Sequence, residues 1–181
     1  MTQADREDHV TRATPGAGAV APEIVLPAGP ARTWALRDCR GKAVVVVFYP
    51  ADWERVSTDQ LTHYNETMPQ IVDLNAALVG ISVDGIWCHQ AFARSLQLRF
   101  PLLSDAYPRG AAARAYGVYR PREGTSGRAL VVIDPTGIIH WRSVVPREVN
   151  PGVDGLLTAL EALAGRAETA CWAPVARGGR R

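Results

Sequence analysis

The fold class of this chain is decided by one stretch, Ala43-Val-Val-Val-Val-Phe-Tyr-Pro50. Every residue before the proline is apolar, and most are β-branched or aromatic, which predicts a strand that is buried on both faces. Pro50 cannot donate a ladder hydrogen bond, so it ends the strand. Such a strand belongs inside an α/β domain, and a chain of 181 residues that is 47% hydrophobic is long enough to bury one.

Further strands and helices alternate after this strand. Apolar residues at helical spacing predict helices, and short apolar runs between turn residues predict strands. The predicted helices cover residues 57–75, 86–96, 108–116 and 153–164, and the predicted strands cover residues 43–49, 78–83, 100–103, 129–133 and 138–142. A β-α-β-α-β order followed by a β-hairpin and a closing helix is that of a thioredoxin-like α/β fold, in which helices flank a central mixed sheet.

The composition changes at both ends of the predicted domain, which covers residues 22–164. Residues 1–21 are mostly polar or small and contain no aromatic side chain, so we expect a disordered N-terminal arm. Residues 165–181 end in Arg-Gly-Gly-Arg-Arg and predict a C-terminal tail. The arm lacks the apolar segment of a secretory signal, and no apolar run is long enough to span a bilayer. We therefore expect a cytoplasmic protein that makes no membrane contact.

The charge and the metal-ligating residue types limit the classes of function further. A net charge of +2 gives no basic excess for binding nucleic acid. Three cysteines (Cys39, Cys88 and Cys171) and four histidines are scattered, without a CxxC pair or the spacing of zinc ligands. We therefore expect no metal site and no bound cofactor.

Several sequence blocks resemble the peroxiredoxins, the alkyl hydroperoxide reductase and thiol-specific antioxidant family. The blocks occur in the order and spacing of that family: Phe-Tyr-Pro-Ala-Asp-Trp (48–53), Gly-Ile-Ser-Val-Asp-Gly (80–85), Phe-Pro-Leu-Leu-Ser-Asp (100–105), Ala-Arg-Ala-Tyr-Gly-Val (113–118) and Arg-Ala-Leu-Val-Val-Ile-Asp-Pro-Thr-Gly (128–137). The resemblance implies a redoxin domain with a thioredoxin-like fold. The family activity that it implies is thiol-dependent reduction of peroxides, an antioxidant function.

The catalytic motif of the family is Pro-x-x-x-Thr/Ser-x-x-Cys, completed by a distant arginine. The resemblance puts Pro50 and Arg128 at the proline and arginine positions. Glu54 stands where Thr or Ser belongs, and Ser57 stands where the peroxidatic cysteine belongs. A serine hydroxyl stays protonated near neutral pH and has no oxidation step that corresponds to sulfenic acid formation. We therefore expect Ser57 to be a polar residue of the first helical turn, and the protein to bind a partner rather than reduce peroxides.

Two enzymatic alternatives stay open. A thiol-dependent oxidoreductase would use Cys88, whose position beside His89 near a helix start would lower its pKa, or Cys39, which has arginine neighbours. New chemistry in the old pocket would use Glu54 and Arg128. Against these alternatives, a free cysteine is usually a small buried apolar residue, and the arginine can be a retained residue of the fold.

Glu54 and Arg128 are expected to contact each other. The resemblance brings Arg128 toward the first turn of the helix near Ser57, and a neutral serine gives the guanidinium no anionic partner. A buried charge without a partner is costly. We expect a contact between Glu54 and Arg128, direct or through one water, that closes the old peroxide site and lowers the pKa of Glu54.

The expected partners follow from the same resemblance. It implies a homodimer in which Trp53 and Trp87 line the contact near the active-site loop. A thiol reductant or a protein partner is the other candidate, and neither nucleic acid nor membrane is expected.

Overall fold

The computed structural model of the protein describes residues 14–171, with side chains described up to residue 165. The N-terminal part of the predicted arm (1–13) and the end of the predicted tail (172–181) lie outside the described residues. The strands are β1 (Val25–Gly29), β2 (Arg32–Ala35), β3 (Ala43–Phe48), β4 (Ala76–Ser82), β5 (Leu102–Ser104), β6 (Tyr119–Arg120), β7 (Thr125–Ser126), β8 (Arg128–Ile133) and β9 (Ile139–Val145). The α-helices are α1 (Arg55–Asp73), α2 (Ile86–Ser95), α3 (Ala111–Ala115) and α4 (Asp154–Cys171).

The central sheet is mixed, as predicted. Its five strands have the order β5-β4-β3-β8-β9. β3 pairs in parallel with β4, and β4 pairs in parallel with β5. β8 is antiparallel to both β3 and β9. The predicted strands at 43–49, 78–83 and 129–133 therefore share one sheet, and the thioredoxin-like fold is confirmed.

The two faces of β3 bury different clusters because successive side chains of a strand point to opposite sides. Val44, Val46 and Phe48 pack in a cluster that includes side chains of β1 and α3. Val45 and Val47 pack in a second cluster that includes side chains of α1, α2 and α4. All six residues of β3 are buried, as the continuous apolar run predicts.

The predicted ends of the domain need correction. Val20 forms an antiparallel bridge with Ile138, and the amide of Gly18 donates to the carbonyl of Ile139, so the domain begins before residue 22. α4 continues to Cys171, seven residues beyond its predicted end at Ala164. Two hairpins, β1–β2 and β6–β7, were not predicted. The helix predicted over 108–116 is shorter in the structure, because Gly110, with a left-handed φ of 70°, precedes the five-residue α3.

The described helices are short or amphipathic. Within residues 14–171, none has both the length and the apolar character that crossing a membrane requires.

Candidate functional site

The site begins where β3 ends and α1 starts. Buried Pro50 follows β3 within a turn, and Glu54 is the N-cap of α1. The carboxylate of Glu54 accepts hydrogen bonds from the amides of Val56 (3.1 Å) and Ser57 (2.8 Å). An acidic N-cap satisfies amides that have no partner inside the helix and lies at the positive end of the helix dipole. The cap of α1 is therefore Glu54, and Ser57 lies in the first turn of the helix.

Arg128, the first residue of β8, lies beside this helix start because β8 runs antiparallel to β3 and Ala129 is paired with Phe48. Its side chain is fully buried, and each part of the guanidinium has a partner. Nη2 donates to Oε2 of Glu54 at 2.9 Å, and Nε donates to the carbonyl of Arg147 at 3.0 Å. Nη1 donates to Oε1 of Gln60 and lies 3.5 Å from Oγ of Ser57. The predicted contact between Glu54 and Arg128 is present and direct.

The charge at the site is balanced by this ion pair. Ser57 and Gln60 are neutral, so Glu54 supplies the negative charge that the buried guanidinium requires. Burial opposes ionisation of Glu54, but hydrogen bonds from Ser57, Val56 and Arg128 outweigh it and lower its pKa to about 2. The expected direction of this pKa shift is thus found, and Glu54 is a weak base at neutral pH.

Ser57 is completely buried, and its hydroxyl is already engaged. Oγ donates to Oε2 of Glu54 at 2.7 Å. A nucleophilic serine needs a base that can accept its proton, and a carboxylate with a pKa near 2 is unsuited to that role. The geometry therefore agrees with a structural role for Ser57.

A second buried network lies on the same loop. The carboxylate of Asp52 accepts from the hydroxyl of Tyr49 at 2.8 Å and contacts Nδ1 of His89 at 2.8 Å. Nε2 of His89 lies 3.2 Å from the carbonyl of Leu103. A carboxylate oxygen and a carbonyl oxygen both accept hydrogen bonds, so each ring nitrogen of His89 faces an acceptor. The backbone amide of Asp52 also donates to the carboxylate of Asp84 at 2.8 Å.

The two tryptophans are exposed rather than packed in the core. Trp53 is 57% exposed, has φ of 64°, and its ring centroid lies 5.0 Å from that of Phe92. Trp87 is 68% exposed. Both follow the C-terminal ends of neighbouring parallel strands, Trp53 after β3 and Trp87 after β4, so they belong to the same edge of the sheet.

Neither described cysteine has the lowered pKa that the sequence suggested. Burial, together with a hydrogen bond to the negative charge of Asp52, raises the pKa of the Cys88 thiol. Burial and the charge of Asp38 raise the pKa of the Cys39 thiol. Both shifts are opposite in direction to the expected ones, because burial, with a nearby carboxylate added, disfavours each thiolate. The side chain of Cys171 lies outside the described residues.

Sequence reasoning missed four polar residues of the site: Tyr49, Asp52, Gln60 and His89. Gln60 lies three residues after Ser57, so helical spacing could have placed both on one face of α1. No comparable signal joins Asp52 to His89, which are 37 residues apart. Across the described residues, no group of three or more His, Cys, Asp or Glu side chains is arranged to hold a metal ion.

The comparisons with known proteins agree with this geometry. The AhpC/TSA family model matches residues 17–142, so the chain belongs to the AhpC/TSA family. Alkyl hydroperoxide reductase E of Mycobacterium tuberculosis is 34% identical over 135 residues, which cover 74% of this chain and 88% of that protein. Peroxiredoxin-1 of Gallus gallus is 31% identical over 145 residues, which cover 76% of this chain and 72% of that protein. A relative from Entamoeba histolytica is longer, and the chain spans 57% of its length.

The fold has close counterparts among solved structures. The crystal structure of Enterococcus faecalis AhpC superposes with a TM-score of 0.78 at 24% identity, and the match covers 89% of this chain and 98% of that chain. At this identity the likeness concerns the fold alone.

Proposed function

We propose that this member of the AhpC/TSA family does not reduce peroxides by the usual thiol route and acts as a binding or partner protein. One observation carries the proposal: the guanidinium of Arg128 is held by Glu54, Gln60 and the carbonyl of Arg147, with Ser57 beside it. The resemblance assigns Arg128 to peroxide binding, and in this chain its donors are engaged within the protein.

The chemistry of the two substituted positions supports the same conclusion. A peroxidatic cysteine works as a thiolate that attacks a peroxide oxygen and becomes a sulfenic acid. Ser57 offers a hydroxyl that already donates to Glu54 at 2.7 Å. A peroxide would have to displace Glu54 from Arg128, and that would leave a buried guanidinium without its ionic partner.

The exposed aromatic side chains support a role in association. Trp53 and Trp87 lie on one edge of the sheet, at 57% and 68% exposure, and large exposed aromatic side chains are typical of binding surfaces. We propose that this edge forms a homodimer contact.

Sedimentation velocity of the native protein and of a Trp53→Ser, Trp87→Ser variant tests the proposed dimer contact. A monomeric native protein, or a variant that dimerises equally well, would refute the contact.

A peroxide-consumption assay tests the loss of peroxidase activity. Purified protein is mixed with hydrogen peroxide and dithiothreitol, and peroxide loss is followed against buffer and against a Cys39→Ser, Cys88→Ser variant. We expect the native protein to match buffer. Rapid consumption that the double variant retains would overturn the proposal. Consumption that only the native protein shows would favour the thiol-dependent alternative.

A further inference from the structure

A cavity of about 340 Å³ lies between the β1–β2 hairpin, α2 and the segment that leads into β5. It is separate from the Glu54–Arg128 site, and no residue of that site lines it. Ligand pockets in proteins have volumes of roughly 300–1,000 Å³, so the cavity is large enough for a small organic molecule.

The cavity has an apolar wall and a polar wall of about equal extent. Its lining includes Ile86 and Ala93 of α2 together with Leu98, Phe100 and Leu102 of the following segment. An apolar ligand body placed there would remove this surface from water, which is the main source of binding energy in such sites.

Two arginines give the cavity its charge. Arg32 from β2 and Arg99 from the segment before β5 both line it, and the lining contains no carboxylate. Within the described part of the chain, no ion pair or hydrogen bond engages either guanidinium. Arg99 uses only its backbone amide, which donates to Asn65 at 2.8 Å. Both guanidinium groups are therefore available to an anionic group of a ligand, and planar guanidinium groups favour carboxylates.

We propose that this cavity is a binding site for a small amphipathic carboxylate. The apolar body lies against the wall formed by α2 and the segment before β5, and the carboxylate binds Arg32 and Arg99. The site does not depend on the proposed function of the Glu54–Arg128 site, because the two use different residues.

One wall residue connects the cavity to the rest of the molecule. His89 lines the cavity, and its Nδ1 lies 2.8 Å from the carboxylate of Asp52 in the loop before α1. A ligand bound in the cavity would therefore lie next to the network that holds this loop.

Isothermal titration calorimetry with octanoate tests the site on the full-length protein, and octylammonium, which has the same chain length and the opposite charge, is the matched ligand control. We expect octanoate to bind and octylammonium to bind at least about tenfold more weakly. Equal affinity for the two ligands, or no binding of octanoate, would overturn the proposal.

Variants locate the binding site. The double substitution Arg32→Gln, Arg99→Gln should weaken octanoate binding about tenfold or more. Arg94→Gln is the matched control, because Arg94 lies on α2 outside the lining. Ala93→Phe should also weaken binding by narrowing the cavity without a change of charge. An unchanged affinity in the folded double variant, or an equal loss in Arg94→Gln, would refute the assignment.

Discussion

Asp52 and Glu54 are two residues apart, and their carboxylates bind different buried partners. Asp52 contacts Nδ1 of His89 at 2.8 Å, and Glu54 contacts Nη2 of Arg128 at 2.9 Å. Between them, Trp53 has φ of 64°, a left-handed conformation that costs a bulky residue free energy. The loop before α1 is therefore fixed on both sides of Trp53 by polar contacts from distant parts of the chain.

The ion pair between Glu54 and Arg128 should show strong coupling in a double-mutant cycle. Glu54→Gln keeps a capping acceptor but leaves a fully buried guanidinium without an anion, so we expect a loss of about 3 kcal/mol in unfolding free energy. Glu54→Gln combined with Arg128→Met should cost less than the sum of the single substitutions, since the stranded charge is gone. Urea denaturation of the four proteins measures the coupling.

The control for this cycle is Glu66→Gln, an exposed carboxylate on α1 that should change stability by less than about 0.5 kcal/mol. Additive effects of the substitutions at 54 and 128 would show that the two side chains do not stabilise each other.

The stability of the protein should depend on the ionisation of Glu54 at acid pH. Its pKa is about 2 in the folded protein and is expected near 4.3 in the unfolded chain. Because the folded pKa is the lower one, the contribution is fully present above the unfolded pKa and is lost as pH falls from about 4.3 toward 2.

The measurement compares native protein with Glu54→Gln in urea melts across this pH range. The difference in unfolding free energy between the two proteins should shrink as pH falls, because Glu54 becomes protonated and loses its contribution. Other carboxylates with a lowered pKa, such as Asp134, contribute equally to both proteins and cancel in the comparison. A difference that stays constant down to the lowest pH would contradict the assigned pKa.

Apolar patterning was enough to predict the sheet, because β3 and residues 129–133 of β8 are buried and form unbroken apolar runs. The β1–β2 hairpin escaped notice because Pro27 and Gly29 interrupt β1 and only part of it is buried. At the site, the charge of Arg128 required a partner, and Glu54 was the nearest acid in the motif. The contact between Asp52 and His89 had no such local signal, since it arises only when α2 packs against the loop.

Restoring the cysteine at position 57 should give a poorly ionised thiol. In Ser57→Cys the sulfur would replace an oxygen that lies 2.7 Å from the carboxylate of Glu54, and a like charge raises a thiol pKa. The additional substitution Glu54→Thr removes that charge and frees Arg128, so the thiol pKa should fall by about one unit or more. The pH dependence of alkylation, followed by mass spectrometry of the peptide that contains residue 57, measures both values.

The rate of peroxide consumption should rise as the pKa of the thiol at position 57 falls. In the presence of dithiothreitol, Ser57→Cys alone should consume peroxide slowly, and Ser57→Cys combined with Glu54→Thr should consume it clearly faster. A Ser57→Cys protein that is as active as the double variant would show that Glu54 does not block the site.

Cys39 and Cys88 should react slowly with iodoacetamide at neutral pH. Burial and nearby carboxylates raise the pKa of both thiols, so the fraction of reactive thiolate is small. Mass spectrometry of the two peptides in folded protein gives each rate, and the same peptides in urea provide the control. A folded rate above the unfolded one at either position would indicate an activated thiol and revive the thiol-dependent alternative.

The hydroxyl of Tyr49 should contribute more to stability than that of another buried tyrosine. Tyr49 donates to the carboxylate of Asp52 at 2.8 Å, whereas Tyr116 donates to the neutral backbone carbonyl of Pro22 at 2.7 Å. Hydrogen bonds to charged groups contribute about 1.5–3 kcal/mol, and neutral ones about 0.5–1.5 kcal/mol. Both rings are at most 1% exposed, so Tyr49→Phe and Tyr116→Phe remove the same atom from equally buried positions. Urea denaturation should show a larger loss of unfolding free energy for Tyr49→Phe than for Tyr116→Phe. Equal losses would mean that the hydrogen bond from Tyr49 to the carboxylate of Asp52 contributes no more to stability than a hydrogen bond to a neutral carbonyl.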